Sequence, residues 1–181
     1  LKALERGALL HDIGKIGIPD KILLKPGRLD PGERAVMQGH VNKGVQIIEK
    51  VLEDYQLSHL ANARLMINIV ACHHEFLDGT GYPNGLKADQ IPVEARIVTG
   101  ADIFDALTSQ RPYKTPWGIP DALGELETMA LAGKLDPVCV AALKTQQESA
   151  ARIVHRFRDE DAGTTKAHAT PERCSGSPRR K

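Results

Sequence analysis

The stretch HHEFLDGTGYPNG, residues 73–85, joins the end of one helical pattern to a loop rich in glycine and proline. The preceding segment, about residues 57–75, places its apolar residues on one side of a predicted helix. Residues 76–92 lose that pattern and contain clustered glycines, which predicts an irregular loop. Loops of this length are uncommon in compact domains unless they have a function. We therefore expect the junction of helix and loop to carry function.

Helical patterns on both sides of this loop predict an all-α fold. Two helices have a strong start signal, because Asp30-Pro31 and Asp136-Pro137 each place an N-cap acid before a proline. No segment shows a convincing strand-like alternation. We therefore predict a helical bundle of about six helices, with the long loop after the third. The predicted helices cover about residues 3–16, 30–52, 57–75, 93–109, 120–132 and 137–158.

The composition is that of an ordinary globular domain. The 181 residues are 41% hydrophobic and 26% charged, and no apolar run approaches the ~20 residues that span a bilayer. No secretory signal is visible, and the odd number of widely spaced cysteines (Cys72, Cys139 and Cys174) argues against a disulfide framework. These features predict a cytoplasmic protein without a membrane segment. We interpret Cys72, which precedes His73, as a buried structural thiol and not as a metal ligand.

The chain divides into a helical body and a polar tail. Residues 1–158 form one predicted domain, whereas residues 159–181 lose the apolar pattern and predict a disordered basic tail. The formal net charge is +1, and because the tail is basic, the body is slightly acidic. Such a body does not favour a nucleic acid polymer as partner, and a phosphate ligand would need local cations or metals. Because the sequence begins at Leu1 inside a helical pattern, we expect a fragment of a longer chain.

Four histidines and two carboxylates on separate segments form the candidate site. Taken singly they have structural explanations: His40 alone is more often a partly buried histidine, and His73-His74 could merely complement a helix dipole. Together, imidazoles and carboxylates near apolar helix faces suit iron, manganese or zinc, because unpartnered polar groups there are costly. The set predicts a site for more than one metal ion, which is suited to hydrolysing phosphate esters. Its members are His11, Asp12, His40, His73, His74 and Asp102.

The order of these residues, followed through the Gly81-Tyr82-Pro83 triplet, closely resembles the HD-GYP family, whose members hydrolyse the bacterial second messenger cyclic di-GMP. The resemblance covers about residues 4–143. It implies an HD-superfamily helical bundle that acts as a metal-dependent cyclic di-GMP phosphodiesterase. The implied product is pGpG, with GMP as an alternative end product. The implied cofactors are two divalent ions, iron or manganese, with room in some members for a third.

The resemblance also implies a role for each candidate residue, beginning with the six metal ligands above. Asp12 would bridge the two ions and take part in catalysis, and Lys15 would point to the substrate phosphate. Asp105 would hydrogen-bond a ligand histidine or a base near the substrate. Taken alone, Lys15 would be an ordinary surface lysine. Two further cations, Arg111 and Lys114, would bind phosphate, since arginine suits bidentate contacts and lysine acts as a point charge.

The Gly81-Tyr82-Pro83 triplet would bind substrate. Gly81 can adopt a positive φ and lets a ligand approach closely. Tyr82 would stack on guanine or hydrogen-bond a phosphate, and Pro83 would stiffen the turn. A glycine-rich loop alone would be unspecific, but here it follows His73-His74-Glu75 directly.

The chain departs from the family pattern at a few positions, none of them a proposed ligand. Val41 stands where the family usually has proline, and Lys134-Leu135 where it often has His-Phe. Family members also have helices before the HD motif, with a further metal-binding histidine, that this sequence lacks. Two alternatives stay open: an HD hydrolase of another cyclic dinucleotide or nucleotide ester, and a non-catalytic signalling module. By analogy the partners are an upstream receiver or sensory domain, a second copy, or signalling proteins.

Overall fold

The computed structural model of the chain describes residues 2–110 and 115–164, with side chains described as far as Arg156. The described residues form helices joined by loops, with one isolated bridge between Asp78 and Lys87, so the predicted all-α class is confirmed. The helices are α1 (Lys2–Leu10), a 3-10 helix (Ile13–Gly17), α2 (Asp20–Leu23), α3 (Pro31–Gln38), α4 (His40–Asp54), α5 (Ala61–Cys72), a second 3-10 helix (Ala88–Gln90), α6 (Val93–Thr108), α7 (Ile119–Leu131), α8 (Pro137–Thr145) and α9 (Gln147–Thr164).

The helix predicted over residues 30–52 is in fact two helices. Its predicted start is correct, because the Asp30 side chain accepts a hydrogen bond from the Glu33 backbone and the Glu33 side chain accepts one from Asp30. The chain then breaks at Gly39, between α3 and α4. A Cβ atom at Gly39 would lie 3.0 Å from the Val36 carbonyl oxygen, so a glycine suits this tight junction. The break makes His40 the first residue of α4.

The C-terminal helix prediction differs in the same way. The predicted helix over residues 137–158 divides into α8 and α9 at Gln146. Helix α9 continues to Thr164, past residue 158, after which the polar tail was predicted to begin. Residues 165–181 of that tail lie outside the described part of the chain.

The first predicted helix, residues 3–16, ends early at Leu10, and a 3-10 helix follows it. This 3-10 helix packs on α4 with almost no space between the two backbones. A Cβ atom at Gly14 would lie 1.9 Å from the His40 carbonyl oxygen and 2.4 Å from the Gly44 nitrogen. Only glycine permits that approach. The contact brings the segment that carries His11 and Asp12 against the start of α4.

Two apolar clusters hold the helices in place. Ile48, Leu52, Ala63 and Val70 join α4 to α5, and α5 also contacts α1 and α6. Burying each aliphatic side chain of this size contributes roughly 1.5–3 kcal/mol. The packing fixes the C-terminal end of α5 in the middle of the domain. A second cluster joins α6 to the last helices and is formed by Phe104, Ala122, Leu123, Leu126, Leu135, Val140 and Ala150.

The long loop is anchored to α6 by one arginine. The Arg96 guanidinium donates to the Ile91 and Ala88 carbonyl oxygens and forms an ion pair with Asp136 at 3.1 Å. Asp136 also accepts a hydrogen bond from the Val138 backbone, as its predicted N-cap role requires. One side chain therefore connects the loop, α6 and the start of α8. None of the helices described is both long and apolar enough to cross a bilayer.

Candidate metal centre

The structure brings together all six residues predicted as metal ligands. One ligand atom from each of Asp12, His40, His73 and His74 lies within 4.8 Å of the others. His11 joins them, because its Nε2 lies 3.3 Å from Asp12 Oδ2. The same nitrogen lies 3.6 Å from Asp102 Oδ1, which connects α6 to the cluster.

Five of these side chains lie at or next to the end of a helix, and the sixth, Asp102, lies within α6. His11 and Asp12 lie in the turn after α1, and His40 opens α4. His73 is the C-cap of α5, and the Thr99 hydroxyl of α6 donates to its carbonyl oxygen at 2.9 Å. The sequence did not predict this role for Thr99, since a single threonine in a helix gives no sign of its partner.

Hydrogen bonds fix the orientation of three imidazole rings. In His11, His40 and His73, Nδ1 faces a backbone carbonyl oxygen three residues earlier. A ring that donates from Nδ1 leaves Nε2 for the cluster, and in the neutral ring Nε2 is then an acceptor with a free lone pair. The carbonyl oxygens belong to Ala8, Met37 and Val70.

Two buried atoms of the cluster lack a hydrogen-bond partner among the described residues. They are His11 Nε2 and Asp12 Oδ1. Asp12 Oδ1 lies 3.3 Å from His40 Nε2 and 3.9 Å from His73 Nε2, which are ion-pair distances. Leaving such a group unpaired costs about 1–3 kcal/mol. A bound cation would satisfy both atoms, so the donor set fits divalent metal ions that accept nitrogen and oxygen ligands.

In the metal-free cluster, the pKa values of the histidines shift in different directions. Burial lowers the pKa of His11, but the Asp102 and Asp12 carboxylates outweigh it and raise that pKa to about 10. Burial acts against ionisation of Asp12, yet the neighbouring His11, His40 and Lys15 side chains hold its pKa far below its usual range. His11 is therefore protonated in the metal-free cluster. Its positive charge partly neutralises the carboxylates, as a bound metal ion otherwise would.

His73 and His74 behave in the opposite way. Burial lowers the pKa of His73 to about 4, and electrostatic interaction with the neighbouring His11 and His40 side chains lowers it further. Burial also lowers the pKa of His74 to about 3, with His73 as the next cause. Both rings are neutral at physiological pH, which is the state in which imidazole binds metal.

The long loop returns to the cluster through its central triplet. The Tyr82 ring stacks on the His74 ring with 4.6 Å between centroids, and the Tyr82 backbone donates to the His74 carbonyl oxygen at 3.1 Å. Gly81 makes this return possible, because a Cβ atom there would lie 2.4 Å from the Phe76 nitrogen. Gly81 can adopt a positive φ, but among the glycines of this loop the positive φ angles occur at Gly79 and Gly85. Gly81 is required by close backbone approach and not by its own φ.

Glu75 holds the other side of the loop, a role that the sequence did not predict. Its side chain is only 2% exposed, and its carboxylate accepts hydrogen bonds from the Asn84 and Leu86 backbones at 2.7 and 3.0 Å. A buried carboxylate without a positive partner needs such donors. The signal in the sequence was its place between two histidines and a glycine-rich loop. Pro83 lies in the segment that Glu75 holds, after a cis peptide bond from Tyr82.

The other residues predicted to contact or support the substrate differ in where the structure places them. Lys15 forms an ion pair with Asp12, and its side chain is 40% exposed, so it lies beside the cluster as expected. Asp105 is exposed and accepts a hydrogen bond from the Ser109 hydroxyl, whereas the predicted partner was a ligand histidine or a base near the substrate. Arg111 and Lys114 lie outside the described residues.

A cavity of about 410 Å³ opens beside Tyr82. Its walls come from the loop before α3, from α3 itself and from Tyr82. The sequence did not single out its two arginines, because their distance along the chain from the triplet hides their proximity. The lining residues are Arg28, Leu29, Arg34, Met37, Gln38 and Tyr82.

Comparison with known proteins identifies similar chains. A family model described as an HD domain matches residues 1–139. The chain is 43% identical over 159 residues to a cyclic di-GMP phosphodiesterase of Thermotoga maritima, with 87% of this chain and 41% of the relative covered. It is 42% identical over 165 residues to a cyclic di-GMP phosphodiesterase response regulator of Xanthomonas campestris, covering 90% and 41%.

A further relative is named for a different substrate. The 3'3'-cGAMP-specific phosphodiesterase 3 of Vibrio cholerae is 46% identical over 141 residues, which cover 78% of this chain and 28% of the relative. The chain thus spans less than half the length of each of these three proteins. The match to the HD domain model includes the positions of all six candidate ligands, and the relatives have additional sequence beyond the part that this chain covers.

Proposed function

The chain belongs to the HD domain family, as the resemblance predicted, and from this we propose that it is a metal-dependent phosphodiesterase acting on cyclic di-GMP. The proposed product is pGpG, with GMP as an alternative end product. One observation carries the proposal: six side chains with nitrogen or oxygen ligand atoms meet in one cluster, and two of those atoms, His11 Nε2 and Asp12 Oδ1, are buried without a hydrogen-bond partner among the described residues. The relatives named as cyclic di-GMP phosphodiesterases support the choice of substrate.

We propose that the six residues of the cluster bind two divalent ions, iron or manganese. The alternative number of ions is three. When bound, such ions generate a nucleophile from water near neutral pH and stabilise charge on the phosphate. Asp12 is the proposed bridge, because it lies between His11 on one side and His40 and His73 on the other. Its strong preference for the ionised form suits that position.

The remaining proposed contacts bind and orient substrate. Lys15 holds Asp12 and is exposed enough for its ammonium to reach a phosphate oxygen as negative charge grows in the transition state. Tyr82, already stacked on His74, offers a flat surface beside the cluster for a guanine base. Arg111 and Lys114 are proposed as further phosphate contacts, and Asp105 as a supporting residue.

A second cyclic dinucleotide is the specific alternative substrate. This alternative, 3'3'-cGAMP, is favoured by the Vibrio cholerae relative named as specific for it, which is 46% identical to this chain. Both molecules have a purine 3',5' diester that the cluster could receive. Rates measured with the two compounds at equal metal loading distinguish them, because our proposal requires a preference for cyclic di-GMP.

The wider role is proposed by analogy with the relatives. We propose a cytoplasmic signalling enzyme that forms the output domain of a response regulator, by analogy with the Xanthomonas campestris relative, which is named a response regulator. The two cysteines described, Cys72 and Cys139, are free thiols, which fits a reducing compartment. Cys72 is buried, and burial raises its pKa to about 11, so it is the inert structural thiol that was predicted.

The test combines metal content with turnover. The chain is prepared anaerobically with iron or manganese, its metal is counted by mass spectrometry, and cyclic di-GMP hydrolysis is followed by chromatography. We expect about two ions per chain and formation of pGpG. Asp12→Ala should lose both, whereas Asp54→Ala, an exposed acid at the far end of α4, should lose neither.

Other results would contradict the proposal in different ways. Full metal content and turnover in Asp12→Ala would overturn its bridging role. Bound metal without cyclic di-GMP turnover would favour another phosphate ester. Absence of both metal and turnover in the unaltered chain would favour a non-catalytic signalling module.

A further inference from the structure

The cavity beside Tyr82 has the composition of a nucleotide site. Its volume, about 410 Å³, lies within the range of small-molecule pockets, which is about 300–1,000 Å³. Leu29, Met37 and the Tyr82 ring give it apolar surface on which a flat base can lie. Two arginines, Arg28 and Arg34, also line it.

These two arginines have no structural role within the described residues. Neither side chain forms an ion pair or hydrogen bond with another described residue. Arg96, by comparison, is fully engaged, with one carboxylate and two carbonyl oxygens. Unpaired arginines in one concave wall are available to a ligand with negative charge and planar hydrogen-bond acceptors.

Tyr82 connects this cavity to the metal centre. Its ring stacks on His74 and also lines the cavity, so a ligand there lies one ring away from the cluster. A cyclic dinucleotide has two nucleotide halves, and only one of its phosphodiesters can occupy the cluster at a time. The other half therefore needs a place nearby, and the cavity is next to the cluster.

We propose that this cavity is the subsite for the nucleotide half that is not being cleaved, with Arg28 and Arg34 binding its phosphate and the edge of its purine. Arginine makes bidentate hydrogen bonds to guanine O6 and N7 as well as to phosphate, so either contact uses the same fork. The subsite deepens the proposed function and rests on it.

The test measures binding separately from turnover. Affinity for cyclic di-GMP is determined by calorimetry on the chain stripped of metal with a chelator, and kcat and KM are determined on the metal-loaded chain. For Arg34→Ala and Arg28→Ala we expect the Kd to rise about tenfold or more. KM should rise similarly while kcat changes far less, because the contact is made equally in the ground state and the transition state.

Two matched variants separate a specific contact from a general loss of charge or structure. Arg64→Ala removes an exposed arginine of α5 that is not part of the cavity, and it should leave Kd and KM unchanged. Arg34→Lys keeps the charge and loses the fork, so it should recover only part of the affinity. Thermal melting and metal content of Arg34→Ala should match the unaltered chain, since Arg34 is exposed.

The outcomes distinguish the subsite from the proposed function. Unchanged Kd and KM in both Arg28→Ala and Arg34→Ala, with the unaltered chain active, would overturn the subsite and leave the enzyme in place. Binding that depends on Arg34 in a chain that hydrolyses no cyclic di-GMP would support the subsite and refute the enzyme. A chain that neither binds nor hydrolyses cyclic di-GMP would refute both.

Discussion

The Nε2 atoms of His40 and His73 lie 3.4 Å apart, although one residue opens α4 and the other closes α5. Both rings face a backbone carbonyl oxygen with Nδ1, so in the neutral state both Nε2 atoms are acceptors directed at one another. Asp12 Oδ1 adds a third acceptor, at 3.3 Å from His40 Nε2. Acceptors that face each other in a buried space are stabilised only by a proton or a cation between them.

We therefore expect metal to stabilise the fold. Binding of a ligand to the native state alone contributes about 2.7 kcal/mol at a hundred times its Kd. For a chain of this size that corresponds to a rise in Tm of roughly 5–10 °C. Differential scanning calorimetry with and without manganese checks it. His73→Gln should abolish most of the shift, whereas His59→Gln, an exposed histidine outside the cluster, should keep it. An equal shift in both variants would contradict a metal site at His73.

Metal binding should also release a proton from His11. Its pKa of about 10 in the metal-free state means that it carries a proton at pH 8, whereas its ordinary pKa of 6.5 would leave it neutral. A ligand nitrogen must lose its proton, so apparent affinity should rise with pH, by about tenfold per unit between pH 7 and 9. His73 and His74, with pKa values of about 4 and about 3, release nothing in this range.

Calorimetry in buffers of different ionisation enthalpy counts the protons released at pH 8. The control is His11→Gln, which should release about one proton fewer and lose most of the pH slope. This comparison removes any contribution from water that ionises on the metal, because that contribution is common to both proteins. The same proton count in His11→Gln and in the unaltered chain would refute the assignment to His11.

The close contact between the 3-10 helix and α4 predicts a severe effect of one methyl group. Gly14→Ala would place a Cβ atom 1.9 Å from the His40 carbonyl oxygen, so the segment that carries Asp12 must move away from α4. We expect a loss of about 1–3 kcal/mol in the free energy of unfolding, together with a loss of metal. Urea denaturation and metal analysis measure both.

The matched change is Gly124→Ala in α7, where an added Cβ meets no atom within 4 Å. This helical position should become more stable by about 0.5–1 kcal/mol, because alanine loses less conformational entropy than glycine. Metal content should be unchanged. Equal stability losses at the two positions would mean that the space around Gly14 is not the cause.

The six candidate ligands could be singled out from sequence because their residue types suit metal ions and their order along the chain resembles that of the HD-GYP family. The break between α3 and α4 could not, since Gly39 keeps helical angles (φ −59°, ψ −13°) and apolar residues recur on both sides. The start of the second helix coincides with the close packing of the 3-10 helix on α4, which is a tertiary contact. The arginines of the cavity escaped prediction for a similar reason: Arg34 and Tyr82 are brought together by tertiary structure, which no local pattern records.

The last prediction concerns Glu75, whose two carboxylate oxygens each accept a backbone hydrogen bond from the loop. Glu75→Gln replaces one of these acceptors with an NH₂ group that faces a backbone N–H. Because the site is buried, the mismatch should cost about 1–3 kcal/mol and loosen the segment that contains Tyr82. Hydrogen exchange at the Asn84 and Leu86 amides should accelerate, and KM should rise while metal content stays close to two ions per chain. Glu53→Gln, an exposed acid of α4, should change none of these quantities. Unchanged exchange at both amides in Glu75→Gln would show that the loop does not depend on this carboxylate.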